Sequence, residues 1–207
     1  MRVVIVPAIV SLSSLAGGAA SAVPDEPTRT APPMAPFKRG LLVEGSLGVY
    51  APTGKLKNYS PPGPWMRVSL GWDFSRWLAA FVSGDAAFLS TSRAPPPPGE
   101  RAYVLYGFGV GARFSIPATE RILFPIRVDL GAHRVADGGV LSTYQFNSAR
   151  ELDVSYGATV GVEWRAASRH LSLILEAGVR SDGSLTQAGR ADSALAVVSA
   201  LSIHSTL

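Results

Sequence analysis

Three histidines, His133, His170 and His204, and the absence of cysteine bound the side-chain chemistry open to this 207-residue chain. Without a thiol there is no cysteine nucleophile, no thiolate metal site and no disulfide. A histidine could serve a hydrolase as general base, given a hydroxyl nucleophile and a carboxylate to orient the ring. The stretch Gly131-Ala132-His133-Arg134 offers neither partner at a telling spacing, so His133 is read as an exposed polar residue at an interface. His170 falls in an expected turn and His204 in an expected tail, and no two histidines share a metal-ligand spacing. The expectation is a protein without catalysis, metal or cofactor.

The charged residues follow a pattern. Glu44, Arg67, Asp73, Asp85, Arg113, Arg127, Asp129, Glu151, Asp153, Glu163, Glu176 and Arg180 occupy alternate positions of segments whose intervening positions are mainly apolar. The clearest segment is 151–164. Glu151, Asp153, Ser155, Gly157, Thr159, Gly161 and Glu163 share one face, and Leu152, Val154, Tyr156, Ala158, Val160, Val162 and Trp164 share the other. A period of two over that length means one long β-strand with a polar and an apolar face. Strands of soluble domains have a mode of about five or six residues, whereas a tilted strand crossing a bilayer needs about 9–11.

The same alternation recurs over 41–51, 65–74, 77–89, 102–114, 122–132, 171–180 and 191–203, which makes eight strands, with Pro125 expected to disturb its ladder locally. The connections after the second, fourth and sixth strands are short, and those after the first, third, fifth and seventh are longer and rich in Pro, Gly or polar residues. Short periplasmic turns and long outer loops are the rule for bacterial outer-membrane barrels. The sequence therefore predicts an all-β fold: an eight-stranded, antiparallel, up-and-down transmembrane β-barrel over 40–207. Small and charged residues suit the crowded inside of so narrow a cylinder, and the bulkier apolar face suits lipid. The expected lumen charge network is Glu44, Arg67, Asp73, Asp85, Arg113, Arg127, Asp129, Asp153, Glu163, Glu176 and Arg180. Trp72, Phe74, Trp77, Phe114 and Trp164 fall at short-turn strand ends and form an expected periplasmic aromatic girdle. Tyr50, Trp65, Phe88 and Tyr103 fall at the opposite ends, as an outer girdle.

Residues 1–22 read as a cleaved secretory leader. Arg2 precedes an apolar run, and Ala20-Ser21-Ala22 has the small-x-small form of a cleavage site, which places cleavage after Ala22. Residues 23–39, rich in Pro, Thr and Ala, read as a flexible periplasmic segment. The net charge is +4 with basic residues scattered rather than striped, which argues against nucleic acid as a partner. No later stretch is long and apolar enough for a helical span.

The glycine-spaced strands, Gly107-Phe-Gly-Val-Gly111 and Gly157-Ala-Thr-Val-Gly161, together with the loop parity, resemble small bacterial outer-membrane barrels of the OmpA/OmpW-like superfamily. The resemblance covers about residues 40–207 and implies an outer-membrane location. Such barrels usually end in an aromatic residue, whereas this chain reads Ile203-His-Ser-Thr-Leu207. The proline-rich loops also resemble outer-membrane barrels attached to gliding-motility machinery.

The function expected first is a non-enzymatic envelope component whose loops or turns dock a partner protein. Lys55, Lys57, Tyr59, Trp65, Arg93, Arg101, Tyr144 and Phe146 are the candidate loop contacts, and outer-membrane lipid and lipopolysaccharide are the expected surroundings. A narrow transport barrel stays open as an alternative, because the acids on the inward faces outnumber the arginines two to one. A lipid-modifying enzyme built on His133 is the third reading.

Overall fold

The computed structural model describes residues 39–54, 56–91, 102–136, 152–166, 170–185 and 194–207. The leader, the segment up to 38, and Lys55, Arg93, Arg101, Tyr144, Phe146 and Glu151 lie outside the described residues. Eight strands form one closed barrel in sequence order. They are β1 (Gly40–Pro52), β2 (Gly63–Ser75), β3 (Leu78–Ser90), β4 (Ala102–Pro117), β5 (Ile122–Val135), β6 (Asp153–Arg165), β7 (Leu171–Asp182) and β8 (Ala194–Thr206). Every neighbouring pair is antiparallel, and β8 returns to β1 in a ladder running from Leu42↔Thr206 to Pro52↔Ala196. Closure leaves no edge strand, so each backbone amide in the wall can be paired within the wall.

Alternation fixes the two faces. Leu47, Val68, Val82, Phe108, Leu130, Val160, Leu175 and Leu201, one from each strand, stand exposed on the outside. Glu44, Arg67, Ser83, Arg113, Arg127, Thr159, Glu176 and Ser202, again one from each, are buried inside. The barrel is thus apolar outward and polar inward, the reverse of a water-soluble barrel.

Two irregularities have local causes. The β2–β3 register shifts between Asp73 and Ser75, beside the tight turn at Arg76-Trp77. The β5–β6 ladder skips from Leu123↔Glu163 to Ile126↔Val160. Pro125 lies in that gap and has no N–H to give. Close packing of the wall demands glycine at Gly48, where a Cβ would come within 1.9 Å of the Ser199 carbonyl oxygen.

Strand ends differ from the sequence expectation in ways that matter for the interior. β7 continues to Asp182 and β8 to Thr206. Asp182, His204 and Thr206, expected in a loop and a tail, are therefore strand residues with buried side chains.

Candidate functional site

The interior divides into an apolar cap at the long-loop end and a charged column below it. Tyr50, Trp65, Leu89, Tyr103, Leu105, Val135 and Val198 point inward from the walls at the long-loop end. Among the described residues two single turns of 3-10 helix join the cap: Leu56–Asn58 between β1 and β2 supplies Leu56, and Gly183–Leu185 after β7 supplies Leu185. The first connection enters its turn through Gly54, whose φ of 61° is left-handed. It is tied down by Tyr103, whose hydroxyl donates to Ser60 Oγ at 2.8 Å, while Ser60 Oγ donates to the Ser90 carbonyl at 2.9 Å.

Directly beneath lies a cluster built from five strands. Asp85 on β3 accepts hydrogen bonds from Trp65 Nε1 at 3.0 Å and from Arg180 Nη1 at 2.6 Å. His133 on β5 lies between two carboxylates. Its Nε2 is 3.0 Å from Asp85 Oδ1, and its Nδ1 is 2.9 Å from Asp182 Oδ1, the latter off the hydrogen-bond line. Asp182 also accepts the Tyr50 hydroxyl at 2.5 Å. Gly107 makes room for this arrangement, because a Cβ there would meet the His133 ring at 2.2 Å.

The column continues toward the short turns. Asp129 takes Arg180 at 2.7 Å and Arg67 at 3.4 Å, and the Arg67 guanidinium also stacks 4.7 Å from the Trp65 ring centre. Glu44 accepts Arg113 at 3.2 Å and pairs with Arg127, which also lies 3.8 Å from Glu176. Glu176 accepts the Thr159 hydroxyl at 3.0 Å. Arg113 reaches Asp73 at 3.2 Å as well. At the mouth, Arg165 donates to Glu163 at 2.9 Å and to the Arg76 carbonyl at 3.3 Å. Ionic groups buried this deeply are tolerable only in such mutual pairing.

Ten of the eleven expected lumen residues thus enter ion pairs inside the barrel. Asp153 is in no ion pair among the described residues: it is half-buried near the long-loop end and accepts from the Val154 N–H at 2.7 Å. His133 is a correction to the sequence reading, since it is 1 % exposed and central to the interior. So are Trp65, expected as a loop contact, and Tyr50 and Tyr103, expected as an outer girdle, all of which are buried in the cap. Phe88 is exposed on the outside. Of the remaining described loop candidates, Lys57 is exposed and Tyr59 packs partly buried against the cap. The interior residues missed were Arg165, Asp182, His204 and Thr206, and the expected two-to-one excess of acid over arginine shrinks: among the described ion pairs Glu44, Asp73, Asp85, Asp129, Glu163, Glu176 and Asp182 face Arg67, Arg113, Arg127, Arg165 and Arg180.

One arrangement has the outline of a nucleophile and base. Thr206 Oγ1 lies 3.1 Å from His204 Nε2, near Asp73. The hydrogen bonds run the wrong way for activation. Arg113 donates to His204 Nδ1 at 3.0 Å, so the ring's proton belongs on Nε2, facing Thr206. Thr206 in turn donates to Asp73 Oδ2 at 2.7 Å. A base needs a free lone pair toward its nucleophile and a carboxylate behind it, and here both positions are reversed.

Outside, Trp72, Phe74, Trp77, Phe114 and Trp164 are all exposed near the short-turn end. Trp77 and Phe114 meet edge to face, 5.5 Å between ring centres.

No protein-family model matches the sequence, and no curated protein is significantly similar to it. Among solved structures the chain is similar to Neisserial surface protein A, at 16% identity over 83% of this chain and 100% of that one, with a TM-score of 0.58. It also aligns with the outer membrane enzyme PagL, at 14% identity over 80% and 99% of the two chains, TM-score 0.45. A third match is the attachment invasion locus protein of Yersinia pestis in complex with the heparin analogue sucrose octasulfate, at 8% identity over 81% and 96%, TM-score 0.39. At these identities the likeness is one of fold.

Proposed function

We propose that this chain is an integral protein of the bacterial outer membrane, closed to solutes, that works without catalysis as an envelope and interaction component. The observation that carries the reading is the inversion of the barrel. Apolar side chains cover the outside of all eight strands, while paired charges fill the inside. Isolated exposed apolar residues are ordinary in soluble proteins, but a continuous belt of them is not. Such a belt has its natural solvent in lipid.

Closure of the lumen supports a non-transporting role. The apolar cap blocks one end, and below it each arginine of the column has an acidic partner. The hydrogen-bond directions at His204 and Thr206, with Arg113 behind the ring and Thr206 donating to Asp73, support the non-enzymatic part. Function then falls to the exposed ends. Lys57 is a cation placed to meet lipopolysaccharide phosphates, and the long connections would dock an envelope protein. The resemblance of the proline-rich loops to barrels of gliding-motility machinery names one class of such partner.

The test is conductance in planar bilayers with the full folded chain. The reading expects no steady open state. A steady conductance that falls on Asp129→Asn or Glu163→Gln would replace it with a narrow transport barrel.

A further inference from the structure

Each ring nitrogen of His133 lies against a carboxylate oxygen, Nε2 3.0 Å from Asp85 and Nδ1 2.9 Å from Asp182. A neutral imidazole has one N–H and one lone pair, so either tautomer would turn a lone pair on a carboxylate. The imidazolium, with a proton on both nitrogens, suits both neighbours. The surrounding charges call for the same form. Asp85, Asp129 and Asp182 face Arg67 and Arg180, and Arg180 is already shared between Asp85 and Asp129. Without the imidazolium one buried carboxylate is left short of a cation, and that is costly.

The carboxylate left short is Asp182. The Nε2 contact to Asp85 is an in-line hydrogen bond that keeps a proton on that nitrogen, whereas the Nδ1 contact to Asp182 is off the line. Asp85 has Trp65 and Arg180 as further donors, while Asp182 has the Tyr50 hydroxyl. Asp182 is also the last residue of β7, and Gly183–Leu185, which follows at once, carries Leu185 into the cap. That turn sits close over the cluster. A Cβ at Gly183 would come within 2.7 Å of the Asp153 carboxyl carbon, and Asp153 is the register partner of His133 on β6. The titratable groups around His133 among the described residues are thus Tyr50 on β1, Arg67 on β2, Asp85 on β3 and Tyr103 on β4. Asp129 on β5, Asp153 on β6, and Arg180 and Asp182 on β7 complete them. From β8 the cap receives the uncharged Ala196 and Val198.

We propose that His133 is a proton-operated latch on the cap: as the imidazolium it holds Asp182, and with it the Gly183–Leu185 turn, down on the charged column. Loss of the proton turns a lone pair on Asp182, lets the turn lift beside Asp153, and admits water to the cap. The latch rests on the reading of the cap as the barrel's closure and adds a condition to it. The cap is closed at about pH 6 and loosened by about pH 9, across the range where a histidine is suited to switch. The sign follows from the bound proton, since the imidazolium's contribution is present while the proton is held and lost as pH rises.

The experiment uses the full chain folded in vesicles, carrying Trp72→Phe, Trp77→Phe and Trp164→Phe so that Trp65 in the cap reports alone. The heat-dependent gel shift establishes folding of each variant first. Acrylamide in the aqueous phase probes access of water to the cap. Quenching of Trp65 is expected to rise about twofold, reversibly, between about pH 6 and about pH 9. His133→Gln, neutral throughout, should show the higher quenching at both pH values. His133→Gln/Asp182→Asn removes the stranded carboxylate along with the cation and should show the lower quenching at both. That double variant and the titration of the His133 chain decide the matter even where the single variant does not fold. Quenching that stays level with pH in the His133 chain, or a double variant that still responds to pH, overturns the latch and leaves the closed barrel standing. So does a folded His133→Gln chain as well protected as the original. Conductance in planar bilayers at the lower pH tests the closure itself: a steady open state there overturns that reading and the latch with it.

Discussion

Arg113 and Arg127 are register partners on β4 and β5, two cations side by side on the inner face of the wall. Like charges directly opposite each other destabilise a sheet. Glu44 reaches across from β1 and meets both. One carboxylate therefore holds together the part of the interior most prone to come apart.

Removing that carboxylate should be severe. Glu44→Gln leaves two buried guanidiniums short of a partner and is expected to cost about 3–5 kcal/mol. Urea unfolding in lipid vesicles, followed by the gel shift, measures the loss. The double variant Glu44→Leu/Arg127→Met should recover part of it, because it removes the second buried charge along with the first.

Tyr50 and Asp182 join β1 to β7 across the intervening β8, 2.5 Å apart. Tyr50→Phe keeps the ring in the cap but strips a buried carboxylate oxygen of its donor. The expected loss is about 1–3 kcal/mol in the same unfolding assay. A loss below a few tenths would show that Asp182 does not depend on this contact.

Gly107 and Gly45 make a matched pair. A Cβ at Gly107 would strike the His133 ring at 2.2 Å and the Ala132 carbonyl at 2.3 Å, whereas a Cβ at Gly45 meets nothing within 4 Å. Gly107→Ala should destabilise by about 1–3 kcal/mol and Gly45→Ala should be near neutral. Equal effects would mean that His133 is not seated as described.

The cap makes a separate prediction. Leu56 and Leu185 come from the connections after β1 and β7, and each is buried in it. Leu56→Ser with Leu185→Ser should weaken the closure and produce discrete openings in planar bilayers that the unchanged chain does not show. Silence from the double variant would place the barrier in the charged column instead.

The wall was legible from the residues, because alternation over ten or more positions admits one reading. The same alternation also contained the error over Tyr50, Trp65 and Tyr103. Each shares the phase of an inward charge on its own strand: Tyr50 that of Glu44, Trp65 that of Arg67, Tyr103 that of Arg113. A place at a strand end suggests a girdle, but phase is what aims a side chain. Asp182, His204 and Thr206 were hidden for another reason. Their segments lose the apolar half of the pattern at Ser181 and Ser205, so the strands stop being visible before they end. The pairing partners of His133 come from β3 and β7, and no local spacing signals a contact made across a barrel.

Four tryptophans allow the inversion of the barrel to be measured directly. Trp72, Trp77 and Trp164 are exposed on the outside, and Trp65 is 2 % exposed inside. Variants that each retain a single tryptophan, with phenylalanine at the other three positions, would be folded into vesicles of brominated phospholipid. The account predicts strong fluorescence quenching of Trp72, Trp77 and Trp164 and little of Trp65. Quenching of Trp65 as strong as the rest, or no quenching at any of the four, would contradict a barrel that turns its apolar face to lipid.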